Sequence, residues 1–379
     1  MRAYLLVALL AATVTFLLTP LARWIAMRTG GMTAVRSRDV HTVPTPRLGG
    51  LAMLAGLAVA FLVASQIGFL EDVFASGEAW AILLGAALVA LLGAADDVWD
   101  LDWMTKLAGQ VLAAGVMAWQ GVQLITVPIA GLTIGSGRLS LFLTVLVVVV
   151  AMNAVNFVDG LDGLAAGLIA IGGTAFFVYT YLLTQSTNPT DYSDLASLAT
   201  VALVGVCLGF LPHNFHPSRL FMGDSGSMLI GLVIAAAAIA VTGRIDPARI
   251  SEGQSIPAFL PILLPAAVIV LPLLDMVLAV VRRTLQGKSP FHPDRMHLHH
   301  RLLQLGHTHR RAVVIMYLWT AVLAFGAASL VRFSAAQVLV GTTVASVVVL
   351  ALTLGPLGRP DPRGRAARTA GAAADGTRP

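Results

Sequence analysis

Runs of apolar residues recur along the chain at about 3–19, 49–68, 79–95, 103–120, 139–157, 163–184, 195–211, 226–242, 257–281, 311–331 and 335–355. Each is near the ~20 residues that a helix needs to cross a bilayer. The pattern predicts an all-α polytopic membrane protein with about 11 transmembrane helices. Several runs fall short of 20 residues, and those at 103–120 and 139–157 depart furthest from an unbroken apolar span.

The polar residues between the runs are not spread evenly. They gather in "RSRDVHTVPTPRLGG" (36–50), "DDVWDLDWMTK" (96–106), "NAVNFVDGLDG" (153–163), "PHNFHPSRLFMGDSGS" (212–227) and "RRTLQGKSPFHPDRMHLHHR" (282–301). If the spans alternate in direction, all five segments fall on one side of the membrane. That side also carries 19 of the 24 Lys and Arg residues, so the positive-inside tendency makes it cytoplasmic and puts the N-terminus outside. Polar residues that merely capped helices would be shared between both faces. The bias points to one common cytoplasmic-face cleft.

Composition agrees with this picture. Of the 379 residues, 57% are hydrophobic and 11% charged, against roughly 25% charged in a soluble domain, and mean hydropathy is +0.84. The first run is longer than a signal-peptide core, lacks a small-residue cleavage site and is followed by Arg23, Arg28, Arg36 and Arg38, which reads as a retained anchor. A sole cysteine, Cys207, excludes an intramolecular disulfide framework and a cysteine-rich zinc site. The basic balance reflects topology and attraction to anionic lipid heads rather than nucleic-acid binding. Residues 1–355 read as one multi-span domain, and 356–379, rich in Gly, Ala, Pro and Arg, as a disordered cytoplasmic tail.

The polar segments contain specific chemistry. Asp96 and Asp97 are adjacent carboxylates at the end of the third run, where mutual repulsion and low dielectric call for a metal or a proton; a solvated helix end is the other reading, and it suits Asp100 and Asp102 better. Asn153, Asn156, Asp159 and Asp162 recur every three residues, which on a helix of 3.6 residues per turn keeps them on one broad face. They either converge on a ligand or cap two abutting helices. Asp224, between two glycines at the start of the eighth run, sits where an acid can cap the helix or bind a cation. Arg47 follows Pro44 and Pro46 and suits a phosphate contact, or marks a rigid connector. Arg295, His297, His299 and His300 fit hydrogen bonding to phosphate oxygens, a transition-metal site or a solvated basic loop. Carboxylates, amides and cations beside hydrocarbon imply a phosphorylated soluble molecule meeting a lipid, with a hard cation held through oxygen.

"HTVPTPRLGG", "DDVWDL", "NAVNFVDGLDGLAAG", "FMGDSGS" and "SPFHPDRMHLHHRL", in that order over residues 36–302, resemble the polyprenyl-phosphate N-acetylhexosamine-1-phosphate transferases. The closing "HPDRMHLHH" is similar to the branch that transfers N-acetylglucosamine 1-phosphate; the branch that transfers phospho-MurNAc-pentapeptide usually shows three consecutive histidines, which Met296 and Leu298 interrupt here. The resemblance implies transfer of a sugar 1-phosphate from a UDP-N-acetylhexosamine to an undecaprenyl or decaprenyl phosphate, with release of UMP. It implies Mg²⁺, with Mn²⁺ as a substitute, and allows a homodimer. Asp224 would ligate the metal, with Asp96 and Asp97 nearby as catalytic acids on the lipid phosphate. Asp159 and Asp162 would act with Asn156 on the nucleotide side, with Asn153 beside them. Arg47, Lys106, Arg295, His297, His299 and His300 would contact phosphate, sugar or nucleotide. An ion-coupled transporter is the rival from another class; it would show an internal repeat and midplane binding groups, and neither is apparent.

Overall fold

The computed structural model describes residues 1–32, 44–127, 132–133, 136–187, 194–242, 260–285 and 298–355. A long helix occupies each of the eleven apolar runs. In chain order they are α1 (Arg2–Thr29), α2 (Gly49–Ala64), α4 (Glu78–Trp99), α5 (Trp103–Trp119), α6 (Gly137–Val158), α7 (Leu164–Thr187), α8 (Leu195–Asn214), α9 (Gly223–Thr242), α10 (Leu260–Leu285), α12 (His309–Ser329) and α13 (Ala335–Leu354). Two short helices, α3 (Glu71–Ala75) and α11 (Leu298–Gln304), a 3-10 turn at Gly68–Leu70 and an antiparallel ribbon of β1 (Thr126–Val127) and β2 (Leu132–Thr133), two residues each, complete the described elements.

Eight of the described helices are long and apolar enough to cross a membrane by themselves. A ninth candidate is α2 together with the turn and helix at Gly68–Ala75, which bend by 100°. The bend falls where Ser65 and Gln66 interrupt the apolar run: Ser65 Oγ turns back onto Leu62 O at 2.8 Å and the helix stops at Ala64. α5 is only 17 residues long, in keeping with its interrupted pattern.

Burial sets the order of the bundle. In α9, 89% of the apolar window is buried inside the protein, whereas in α13 it is 6%. α9 is therefore the central column, packed by α2, α4, α6 and α8, while α13 rests on α12 and presents Leu339, Val340, Val344 and Val347 outward. Outward Leu and Val are what hydrocarbon solvates. Between helices the contacts are made by small residues, which let backbones approach closely. Gly50 of α2 and Gly93 of α4 lie against the backbone of Asp224, Ser225 and Gly226, so closely that a Cβ at either position would overlap main-chain atoms.

Exposed tryptophans mark both ends of the α4–α5 pair: Trp99 and Trp103 beside the polar cluster, Trp80 and Trp119 at the far end. Tryptophan favours the two membrane–water interfaces, so the pair has the dimensions of a membrane-crossing hairpin with its acidic turn at one surface.

Candidate active site

The N-terminus of α9 organises the polar end of the bundle. The first amides of any helix lack intrahelical acceptors. Here Asp97, buried at the end of α4, supplies one from outside: it accepts from Asp224 N at 3.0 Å, Ser225 N at 3.2 Å and Ser225 Oγ at 3.0 Å. Gly223 precedes them with φ of 68°, and a Cβ there would fall on the Asp97 carboxylate. Asp97 is thus a cap delivered by a neighbouring helix.

Asp224 points the other way. Its Oδ1 accepts from Asn156 Nδ2 at 2.8 Å, and Asn156 Nδ2 also reaches Ser227 Oγ at 2.8 Å. Lys106 of α5 forms ion pairs with both Asp224 and Asp96, the latter at 3.2 Å. Asp96 also accepts from Leu101 N at 3.0 Å. Four helix ends therefore bring Asp96, Lys106, Asn156 and Asp224 together. Asp102 takes no part: it is exposed and caps α5 through Thr105, whose hydroxyl and amide hold its carboxyl below the usual range.

The turn between α6 and α7 divides the three-residue series. Asn153 lies a turn deeper than Asn156 and donates to Gln110 Oε1 and Val149 O, both at 2.8 Å; Gln110 in turn reaches Met228 Sδ. It is a strut inside the bundle rather than a lining residue. Asp159 follows the last helical residue and is half-buried. Loss of solvation pushes its carboxyl up to about 7; the charges of Asp97 and Asp162 raise it further, while Arg47 opposes them. The positive charge of Arg47 lowers Asp97 as well, so it reaches both carboxyls.

Asp162 is turned away from this group. Its buried carboxylate accepts from His216 Nδ1 at 2.7 Å and Ser218 N at 3.1 Å, while its own amide donates to His309 Nε2 at 3.1 Å. The helical-face reasoning fails at this residue because α6 ends at Val158, before Asp162 is reached. Asn214 Oδ1 accepts from Gly163 N at 3.0 Å and Tyr317 OH donates to Gly163 O at 2.5 Å, so α8 and α12 clamp the turn.

Arg295 and His297 lie outside the described residues, as do the side chains of His299 and His300, although both of these belong to α11. His216 and His309 escaped the sequence reading. His216 lies inside the quoted segment 212–227, but its proximity to Asp162 depends on how α7 and α8 meet, and His309 lies beyond the last motif.

Two groups of side chains have the chemistry to hold a cation. Asp96 and Asp224 offer hard carboxylate oxygens around the Lys106 ammonium, which pairs with Asp224 Oδ2 and Asp96 Oδ2. Asp162, His216 and His309 bring ligand atoms within 4.8 Å of one another. In that second group, however, His216 Nδ1 is engaged by a carboxylate and His309 Nε2 by an amide. The first group fits Mg²⁺ better.

A family model described as glycosyl transferase family 4 matches residues 79–242, the stretch from α4 to the end of α9. Similarity to known proteins extends further. A decaprenyl-phosphate N-acetylglucosaminephosphotransferase of Mycolicibacterium smegmatis is 45% identical over 96% of this chain and 91% of its own length. The chain belongs to glycosyl transferase family 4. Other family members are more distant: a probable undecaprenyl-phosphate N-acetylglucosaminyl 1-phosphate transferase of Bacillus subtilis is 30% identical over 83% of this chain and 81% of its own. A phospho-N-acetylmuramoyl-pentapeptide-transferase of Desulforudis audaxviator is 30% identical over 75% of this chain and 83% of its own. The segment that the family 4 model matches carries Asp96, Asp97, Lys106, Asn156, Asp159, Asp162, His216 and Asp224, which is the whole of the described polar cluster apart from Arg47 and the residues of α12.

Proposed function

We infer that this protein transfers N-acetylglucosamine 1-phosphate from UDP-N-acetylglucosamine to a polyprenyl phosphate, undecaprenyl or decaprenyl, and releases UMP. The observation that carries the reading is the agreement between the 45% identity to a decaprenyl-phosphate N-acetylglucosaminephosphotransferase over nearly the whole chain and a cluster of acids, amides and cations at the end of an apolar bundle. A transporter would carry its binding groups near the midplane; these groups sit at helix ends.

In the reaction, an oxygen of the lipid phosphate attacks the β-phosphorus of the donor. A new P–O bond forms there as the bond to the bridging oxygen breaks, and UMP departs with that oxygen. A polyprenyl phosphate is largely ionised near neutral pH, its second pKa being about 6, so direct in-line attack needs no strong base. Asp224, with Asp96 across the Lys106 ammonium, would hold Mg²⁺ or Mn²⁺, and a bound divalent cation neutralises charge on the diphosphate. Lys106 adds a cation at the same place. Asp97 keeps Asp224 in register by fixing the first turn of α9. Asn156 orients Asp224, and Asp159 with Arg47 lines the approach of the nucleotide. The basic bias of the loops supports a cleft on the cytoplasmic face, with the N-terminus outside.

The test is UMP release by the purified protein with Mg²⁺ and polyprenyl phosphate, comparing UDP-GlcNAc, UDP-GalNAc and UDP-MurNAc-pentapeptide, with Asp224→Asn as control. Lipid-dependent release with UDP-GlcNAc, lost in the control, is the expected result. Folded protein that releases UMP with none of the donors would end the transferase reading, and preference for the pentapeptide donor would move the protein to the other branch.

A further inference from the structure

His216 is held more firmly than a loop histidine requires. A carboxylate only accepts hydrogen bonds, so the 2.7 Å contact with Asp162 Oδ2 places a proton on His216 Nδ1. That carboxylate is fully buried and is itself fixed by Ser218 N. The ring plane is set by His309, whose imidazole stacks on it at 4.3 Å with 16° between planes. His309 is locked in turn, because its Nε2 accepts the Asp162 amide. The main chain is pinned as well: Arg310 Nε and Nη2 both donate to His216 O, at 3.2 and 3.0 Å. Three elements, the turn before α7, the segment after α8 and the start of α12, thus converge to orient one imidazole.

What they leave open is its far edge. The His216 side chain is 36% exposed, and Nε2 takes no partner among the described residues. It belongs to the same end of the bundle as Asp159, since Asp162, its anchor, follows Asp159 by three residues in the turn between α6 and α7. With Nδ1–H spent on Asp162, Nε2 is the ring nitrogen left for a ligand, and as an imidazolium the ring would give an anionic oxygen a charge-assisted hydrogen bond there. The Arg310 guanidinium beside it adds positive charge.

On the transferase reading above, we propose that His216 binds a phosphate oxygen through Nε2, with Asp162, His309 and Arg310 as the residues that position it. The oxygen belongs either to the diphosphate of the donor or to the phosphate of the lipid acceptor. Both are phosphate esters, and the kinetics separate them.

Two variants distinguish this role from a purely structural one. His216→Asn keeps an amide where Nδ1 meets Asp162 and removes Nε2; His216→Gln loses the Asp162 contact and carries an amide to the position of Nε2. The expected result is a loss of about 10- to 100-fold in kcat/KM for His216→Asn, the size of one charge-assisted hydrogen bond, with partial recovery in His216→Gln. A rise in KM for UDP-GlcNAc assigns the contact to the donor, and a rise in KM for polyprenyl phosphate assigns it to the acceptor. Asn at wild-type efficiency, or Gln worse than Asn, would overturn the proposal. Equilibrium binding of inorganic pyrophosphate and of polyprenyl phosphate to the same proteins provides a readout without turnover. Folded wild-type protein that is inactive but loses affinity for either ligand on His216→Asn would keep the phosphate contact and remove the transferase reading; unchanged affinity for both ligands would remove the contact.

Discussion

Asp97 accepts the backbone amide of Asp224 at 3.0 Å, across the interface between α4 and α9. Of two adjacent acids at the end of α4, Asp97 thus caps α9 while Asp96 pairs with Lys106.

This division predicts different phenotypes for the two acids. Asp97→Asn turns an amide NH2 toward donors that the carboxylate now accepts, two backbone amides and a hydroxyl, and should cost about 1–3 kcal/mol, most at low pH, because burial raises the carboxyl to about 6 and disfavours its charge. Thermal unfolding in detergent should show a lowered midpoint together with lost activity. Asp96→Asn should lose activity with little change in the midpoint. Equal midpoints for both variants would contradict the assignment.

Gly93 meets the main chain of Asp224 and Ser225, whereas Gly115 of α5 has open space around the position of a Cβ. Gly93→Ala should force α4 away from α9, at a cost of about 1–3 kcal/mol, and should depress turnover with it. Gly115→Ala should be neutral or stabilising by up to about 1 kcal/mol, the helix-propensity gain. A tolerant Gly93→Ala would mean that the two helices are not in backbone contact.

The Asp159 carboxyl, raised to about 7, gives a pH dependence with a definite sign. Below its unfolded value of 3.8 the group is protonated in both states and contributes nothing. As pH rises from there towards about 7, the unfolded chain ionises first, and the folded state is increasingly disfavoured. In the absence of divalent cations, Asp159→Asn should therefore be more stable than wild type by a margin that grows with pH and levels off above about 7. Melting curves across that range check this; a margin independent of pH would refute it.

Asn153 and Asn156 are separated by one helical turn and should separate in kinetics as well. Asn153→Ala strands Gln110 Oε1 in the bundle, which should cost about 1–3 kcal/mol without changing the KM for UDP-GlcNAc. Asn156→Ala removes the partner of Asp224 Oδ1 and should depress kcat/KM by about 10-fold or more. A KM effect from Asn153→Ala would restore it to the cleft.

Much of the architecture was legible because hydrocarbon imposes a simple rule: each of the eleven apolar runs became a helix, and the described residues of four polar segments, 44–50, 96–106, 153–163 and 212–227, lie at helix ends. Asp96 and Asp224 were legible as candidates, since they lie at run boundaries where an unpaired carboxylate is costly. The partners were not. That Asp97 serves α9 rather than a ligand depends on the distance between two helix ends 127 residues apart in sequence. That Asp162 serves His216 depends on where α6 stops, and a three-residue spacing does not say where a helix stops. The bend after α2 was hidden in a run of adequate length because two polar residues, Ser65 and Gln66, are little noise in a hydropathy average yet enough to end a helix.

The strap that carries Arg47 ends on main chain. Phe221 N donates to Pro46 O at 2.9 Å, Gly49 N to Phe221 O at 3.1 Å and Gly50 N to Met222 O at 3.0 Å, and Leu48 adopts a left-handed φ of 87° to make the turn. With Gly50 and Gly93 pressed against the first turn of α9, the foundation under the acids consists of peptide groups rather than side chains. Peptide groups are the one part of a protein that substitution cannot exchange. Such a foundation can keep the same acids in the same place while the surrounding loops diverge, so a change of sugar or lipid preference would have to be written in the rim and not in the floor.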